Sequence, residues 1–189
     1  MCVVGEVHIT LPLSPGDSRR LRAGDAVRLS GPVYTARDAT HERLVAELRR
    51  GVSLPFGLSG QVLFYAGPAP AAAGRPVGAV GPTTASRMDA YTPELLAAGV
   101  AASIGKGPRS AAVRDACVEH GAVYFIAVGG AAALLATHVT AAETIAYPEL
   151  GPEALMRLEL EGFPAFVGID VFGSDIHAGI PAAGTKEDD

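Results

Sequence analysis

Twice between Val100 and Ala136 the chain passes from a short strand-like run, through glycine, into a helical pattern. The first pass leads from small residues at 100–104 through Gly105-Lys106-Gly107 to a predicted helix from about Ser110 to His120, which Gly121 stops. The second leads from the β-branched and aromatic run Val123–Val128, suited to a strand buried on both faces, through Gly129-Gly130 to the helix-forming Ala131–Ala136. Alternation in the middle of a chain that opens and closes on strands predicts an α/β domain with a mixed sheet rather than a doubly wound parallel one. The uncharged stretch 121–136 is too short to cross a bilayer, which takes about 20 residues.

The flanking elements follow from the same signals. Val7, Ile9 and Leu11 alternate with polar or turn residues and predict a first strand; 26–34 predicts a second, broken at Gly31-Pro32. A helix over 39–50 has Leu44, Val45 and Leu48 on one face, Asp38 as its N-cap and Gly51 as its stop. The apolar run 61–66 predicts a buried strand, and Thr92-Pro93-Glu94 a short helix capped by Thr92 and ended by Gly99. Residues 152–158 read as a further helix and 163–176 as a strand pair turning near Gly173-Ser174. One domain over 1–180 is expected, with 181–189 a flexible polar tail.

Composition narrows the function. Of 189 residues, 49% are hydrophobic and only 19% charged, so a disordered, charge-rich chain is excluded and part of the surface is expected to be covered by another subunit or copy. A net charge of −5, with its cations scattered, argues against nucleic-acid binding. Two cysteines, Cys2 and Cys117, cannot form a disulfide framework or a four-ligand metal site; they suggest a reducing compartment, and Cys117 reads as a small buried hydrophobe. Glu6, His8 and Pro12 interrupt any signal-peptide pattern, Met1 suggests a separate chain, and a cytoplasmic location is expected.

Three segments put glycines, hydroxyls and cations at predicted strand ends, where α/β proteins place ligand contacts: 34–41 with Arg37, 81–89 with Thr83 and Arg87, and 104–107 with Lys106. Each also has an ordinary reading, as a surface ion pair, a turn and a solvated lysine. No phosphate-cradling glycine motif is present, whereas two guanidinium forks and an ammonium beside threonines suit a small dicarboxylate.

Taken together, Tyr-Thr-Ala-Arg-Asp-Ala-Thr-His at 34–41, Leu54-Pro55-Phe56, Gly81-Pro82-Thr83-Thr84 through Arg87-Met88-Asp89, Tyr91-Thr92-Pro93, Ile104-Gly105-Lys106-Gly107 and Val128-Gly129-Gly130-Ala131-Ala132 resemble one family. Leu150-Gly151-Pro152-Glu153-Ala154 and Phe163-Pro164-Ala165 extend the resemblance over roughly residues 5 to 176. It is to the iron–sulfur hydro-lyases, class I fumarases and L-tartrate dehydratases, and specifically to their β subunit or C-terminal domain. The resemblance implies a swivelling β/β/α domain and a [4Fe–4S] cluster held by cysteines of a partner α subunit, in an α2β2 assembly with the active site at the junction. It also implies that Arg37, Arg87 and Lys106 bind the substrate carboxylates and that Thr83 takes part in moving the C3 proton of a short 2-hydroxy dicarboxylate, malate before tartrate. A threonine hydroxyl is a poor base alone, so a carboxylate from the partner is expected to activate it. Asp38 is read as a helix cap, with a cap that also orients Arg37 as the alternative, and His41 as a residue behind the site. The competing expectation is a binding module that recognises a small carboxylate without turning it over.

Overall fold

A computed structural model describes residues 6–178 of the protein; the expected tail at 181–189, and Cys2, lie outside the described residues. The described elements run β1 (Val7–Thr10), α1 (Pro15–Arg20), β2 (Ala26–Thr35), α2 (Asp38–Arg49), β3 (Val62–Phe64), α3 (Thr92–Ala97), β4 (Ala102–Gly105), α4 (Ala111–His120), β5 (Val123–Ile126), α5 (Ala132–Leu135), β6 (Val139–Ala146) and β7 (Leu155–Ile169). Tight turns of helix at Ala85–Met88 and Ala136–His138, and a pair of them kinked at Gly151 within Pro148–Glu153, fill connections.

The sheet is mixed, as the alternation predicted. Strands β1 to β5 lie side by side and parallel, each reached through a helical crossover as parallel pairing requires. The 15-residue β7 runs antiparallel to both β2 and β5, which closes β2, β3, β4, β5 and β7 into a five-stranded barrel; β1 extends it beside β2, and β6 beside β7. Closure removes most free sheet edge.

Alternation along the strands feeds two cores. Val62 and Phe64 of β3, Ala102 and Ile104 of β4, and Val123 and Phe125 of β5 join the core that also holds Val27, Leu29, Phe163 and Val167. The intervening Leu63, Tyr65 and Tyr124 meet Leu44 and Val45 of α2, Leu95 and Leu96 of α3, and Val113, Ala116 and Cys117 of α4. Successive residues of a strand point to opposite faces, so the short strands serve both cores at once. Cys117 is buried as expected, and burial pushes its thiol up to about 12.

Four local expectations are corrected. The second strand is not broken at Gly31-Pro32: β2 runs on to Thr35, and a register shift between Leu29 and Gly31 absorbs the irregularity, with Gly31 at φ 118. Residues 152–158 are not a helix, since the tight turn ends at Glu153 and Leu155–Leu158 open β7. Residues 163–176 are not a strand pair: 163–169 is the second half of β7, and only a single bridge, Ile169 to Asp175, follows the turn. Thr92 is not a cap, because its hydroxyl donates to the Met88 carbonyl at 2.9 Å.

Candidate active site

Parallel strands send all their carboxyl ends to one side, and there the three segments singled out by sequence meet. The chain leaves β2 with the Ala36 amide donating to the Phe64 carbonyl at 3.0 Å. The Thr83 amide donates to the Tyr65 carbonyl, just past β3, at 2.7 Å. Lys106, just past β4, donates its amide to the Thr83 carbonyl at 3.1 Å and accepts from the Ala85 amide at 2.9 Å. The backbones that carry Thr83 and Lys106 are therefore stitched directly together.

Side chains complete the cluster. Arg87 Nη1 donates to Thr83 Oγ1 at 3.3 Å, and Arg87 Nε donates to Asp38 Oδ1 at 3.0 Å, with Nη2 on the second carboxylate oxygen. Asp38 thus holds Arg87 from the neighbouring segment and adjoins Arg37 in sequence. Arg37 Nη2 lies 3.3 Å from Glu153 Oε1. The stem of Lys106 passes over Gly129, where an added Cβ would come within 3.4 Å of the lysine Cδ. Gly67 makes room for Arg37 in the same way: a Cβ there would meet the Pro152 carbonyl at 2.7 Å and Arg37 Nη1 at 3.0 Å. Arg87 and Lys106 are exposed, Arg37 and Thr83 half-buried.

The expectation that Asp38 caps α2 is corrected. Arg37 is the N-cap residue and makes no side-chain cap bond, while the Ala39 amide is served by Glu153 Oε2 at 2.8 Å. Glu153, brought from the turn before β7, therefore caps the helix and pairs with Arg37 at once, and Asp38 is released to bind Arg87.

Beneath these groups lies a buried polar layer that sequence reading did not find. The Arg109 side chain has no exposed surface, and its Nε donates to Asp89 Oδ1 at 2.7 Å. Its Nη2 donates to Thr92 Oγ1 at 2.6 Å, and its Nη1 to Ser103 Oγ at 3.2 Å and the Tyr65 hydroxyl at 3.3 Å. Burial disfavours its cation, but the neighbouring Tyr65 and Asp89 oxygens more than offset that. Losing one partner of such a buried pair costs about 3–5 kcal/mol. Its only sequence signal is a cation placed directly before the helix cap Ser110, between a strand end and a helix.

His41 is wholly buried, stacked edge-on against Tyr65 at 5.0 Å between ring centres. Its Nδ1 lies 2.8 Å from the Arg37 carbonyl, an acceptor, so the proton sits on Nδ1. Burial lowers its pKa to about 4, which keeps the ring neutral near pH 7.

Residues 4–180 match the model of the family described as Fumarase C-terminus. The chain belongs to that family. Among relatives, it is 43% identical over 149 residues to "Fumarate hydratase class I, anaerobic" of Escherichia coli K12, covering 78% of this chain and 27% of that protein. It is 39% identical over 157 residues to "Fumarate hydratase 2" of Leishmania major, covering 82% of this chain and 28% of that protein. It is 34% identical over 171 residues to the "Putative L(+)-tartrate dehydratase subunit beta" of Methanocaldococcus jannaschii, covering 87% of this chain and 88% of that protein. The chain thus spans about a quarter of the fumarate hydratases it matches and most of the β subunit.

The donor set does not suit an iron–sulfur cluster. Such clusters are held by several thiolates, whereas Cys117 is buried with its thiol pushed up, and no group of three His, Cys, Asp or Glu placed to hold a metal occurs among the described residues. No helix among them is long and apolar enough to cross a membrane.

Proposed function

We propose that this chain is the β subunit of a hydro-lyase that reversibly removes water from a short 2-hydroxy dicarboxylate, malate to fumarate first and tartrate to oxaloacetate next. The observation that carries the reading is one cluster at the strand ends, in which Arg87 bonds Thr83 Oγ1 and the Lys106 backbone bonds that of Thr83, with Arg37 on the adjoining segment. The family match and the names of its relatives support the reaction class.

In this reading Arg37, Arg87 and Lys106 hold the dianion by charge-assisted hydrogen bonds, guanidinium forks meeting carboxylates in plane. Fixing both ends of the substrate puts its C3–H bond in register with the group that takes the proton. Thr83 is that group. The Arg87 N–H directed at its oxygen favours negative charge there, and a base from the partner subunit takes the hydroxyl proton onward. Asp38 and Glu153 already neutralise part of the charge on Arg87 and Arg37, which lowers the repulsion between the cations and holds both side chains in place before substrate arrives.

Arg87 and Lys106 are exposed and Arg37 half-buried, so in this reading an α subunit covers them and carries the [4Fe–4S] cluster that this chain's residues do not suit; the assembly is α2β2. Too few cysteines for a disulfide framework support a cytoplasmic location. A carboxylate-binding module without catalysis would not need a hydroxyl under Arg87.

The test is anaerobic co-expression with an α-type subunit, followed by fumarate hydration and L-tartrate dehydration assays. Turnover by the complex and none by this chain alone is expected. Turnover by the chain alone, or none by the cluster-loaded complex on either substrate, would overturn the reading.

A further inference from the structure

We infer that Arg109, through Asp89, is a positioning residue that sets two of the substrate-binding segments to one another; the inference rests on the functional reading above. The segments concerned are 83–89, carrying Thr83 and Arg87, and 105–110, carrying Lys106. The second departs from β4, the first is held beside the end of β3, and the two share backbone hydrogen bonds between Lys106 and both Thr83 and Ala85. Their far ends are joined through Asp89. Asp89, two residues after Arg87, accepts from Arg109 Nε at 2.7 Å through one oxygen and from the Ser110 amide at 2.7 Å through the other.

The same guanidinium spends its remaining donors on Thr92 at the start of α3, Ser103 in β4 and Tyr65 after β3. It also lies over the faces of Tyr65 and Tyr124, 5.2 and 4.9 Å from their ring centres, and the Tyr124 hydroxyl donates to the Gly107 carbonyl at 2.9 Å. Gly105 fits because it has no Cβ: one would meet Ala85 Cβ at 2.9 Å and Tyr65 Cδ2 at 3.0 Å. A planar fork with four of its five donors satisfied by partners from four segments is held in one orientation, whereas a lysine would have many. Among the described residues Arg109 forms no hydrogen bond with Arg87 or Lys106. It fixes the backbone from which each reaches out.

A packing role predicts lost stability alone, while a positioning role predicts that misplacing the segments and deleting a cation are one injury counted once. Double-mutant cycles separate these cases. In the complex with the α subunit, Arg87→Ala is expected to lower kcat/KM for fumarate roughly 30-fold in the wild-type background but less than about fivefold in Arg109→Met. Asp89→Asn, which keeps shape and acceptor oxygen, supplies the same cycle if Arg109→Met does not assemble. Its expected signature is a raised KM with a shrunken Arg87→Ala effect. Calorimetric binding of L-malate to the same complexes repeats the cycle without turnover. Full 30-fold additivity in the Asp89→Asn background, or variants with lowered melting temperature and wild-type kinetics, would overturn the positioning role while leaving the hydro-lyase reading intact. A wild-type complex that binds L-malate without turning over fumarate or L-tartrate would remove the hydro-lyase reading, and the binding cycle would still decide this inference. A complex that does neither removes both.

Discussion

Acid should unfold this protein earlier than its carboxylates alone require, because of His41. The ring is fully buried, and its Nδ1–H is committed to the Arg37 carbonyl. Its pKa falls from 6.5 to about 4. Between those values the unfolded chain binds a proton that the folded chain refuses, so folding stability rises with pH across the window and is lost as pH falls through it. At about 1.4 kcal/mol per pH unit, the full window is worth roughly 3 kcal/mol, and the stretch from pH 6.5 to 5 about 2 kcal/mol. The carboxylates of Glu6, Asp17, Glu47 and Glu94 are held below their ordinary range, so they give up their stabilisation below about pH 4.5, and the upper stretch isolates the histidine. Urea unfolding followed by circular dichroism at pH 7, 6 and 5 measures the slope. His41→Phe keeps an aromatic ring beside Tyr65, leaves the Arg37 carbonyl bonded to the residue 41 amide, and should flatten that slope. An unchanged pH dependence in His41→Phe would refute the reasoning.

Three further outcomes are expected of the assembled enzyme. Arg87→Ala should raise KM and lower kcat/KM by about 2 kcal/mol, because it removes a contact made in ground and transition states alike; steady-state kinetics reads both. Thr83→Val keeps shape and removes only the hydroxyl, so kcat should fall by roughly 10²–10⁴ with L-malate affinity retained, and a value within about threefold of wild type would place the proton transfer elsewhere. Gly67→Ala drives a methyl against the Pro152 carbonyl and Arg37, so KM should rise about tenfold while circular dichroism still reports a folded chain; wild-type KM would show that Arg37 does not bind substrate from this position.

The parts of the fold that sequence made legible are those whose local signals and tertiary setting agree. Helix α4 carries its Ser110 cap, with an amide bond from Val113, and a left-handed Gly121 at its end; β3 and β5 are apolar runs fenced by turns. The start of β7 was misread because Leu155 and Leu158 sit three apart among helix formers, as on a helix face; pairing with β2 and β6 on its two sides overrides that preference. Strand β6 mixes three alanines and Glu143 with the β-branched Val139, Thr140, Thr144 and Ile145 in no apolar alternation; it is largely exposed and pairs along the edge that β7 offers. In the candidate site, the meeting of segments 34–41, 81–89 and 104–107 was legible because glycines and threonines mark all three near strand ends. Glu153 and Arg109 were not, since each acts across more than 15 residues of sequence, on Ala39 and Asp89, with no periodic pattern to mark it.

The most direct test of the central claim is a crystal structure of this chain assembled with the proposed α subunit and soaked with L-malate. Both malate carboxylates should lie at charge-assisted hydrogen-bond distance, about 2.7–2.9 Å, from Arg37, Arg87 and Lys106, with C3 facing Thr83 Oγ1. Malate bound away from these four residues, or held by the α subunit alone, would contradict it.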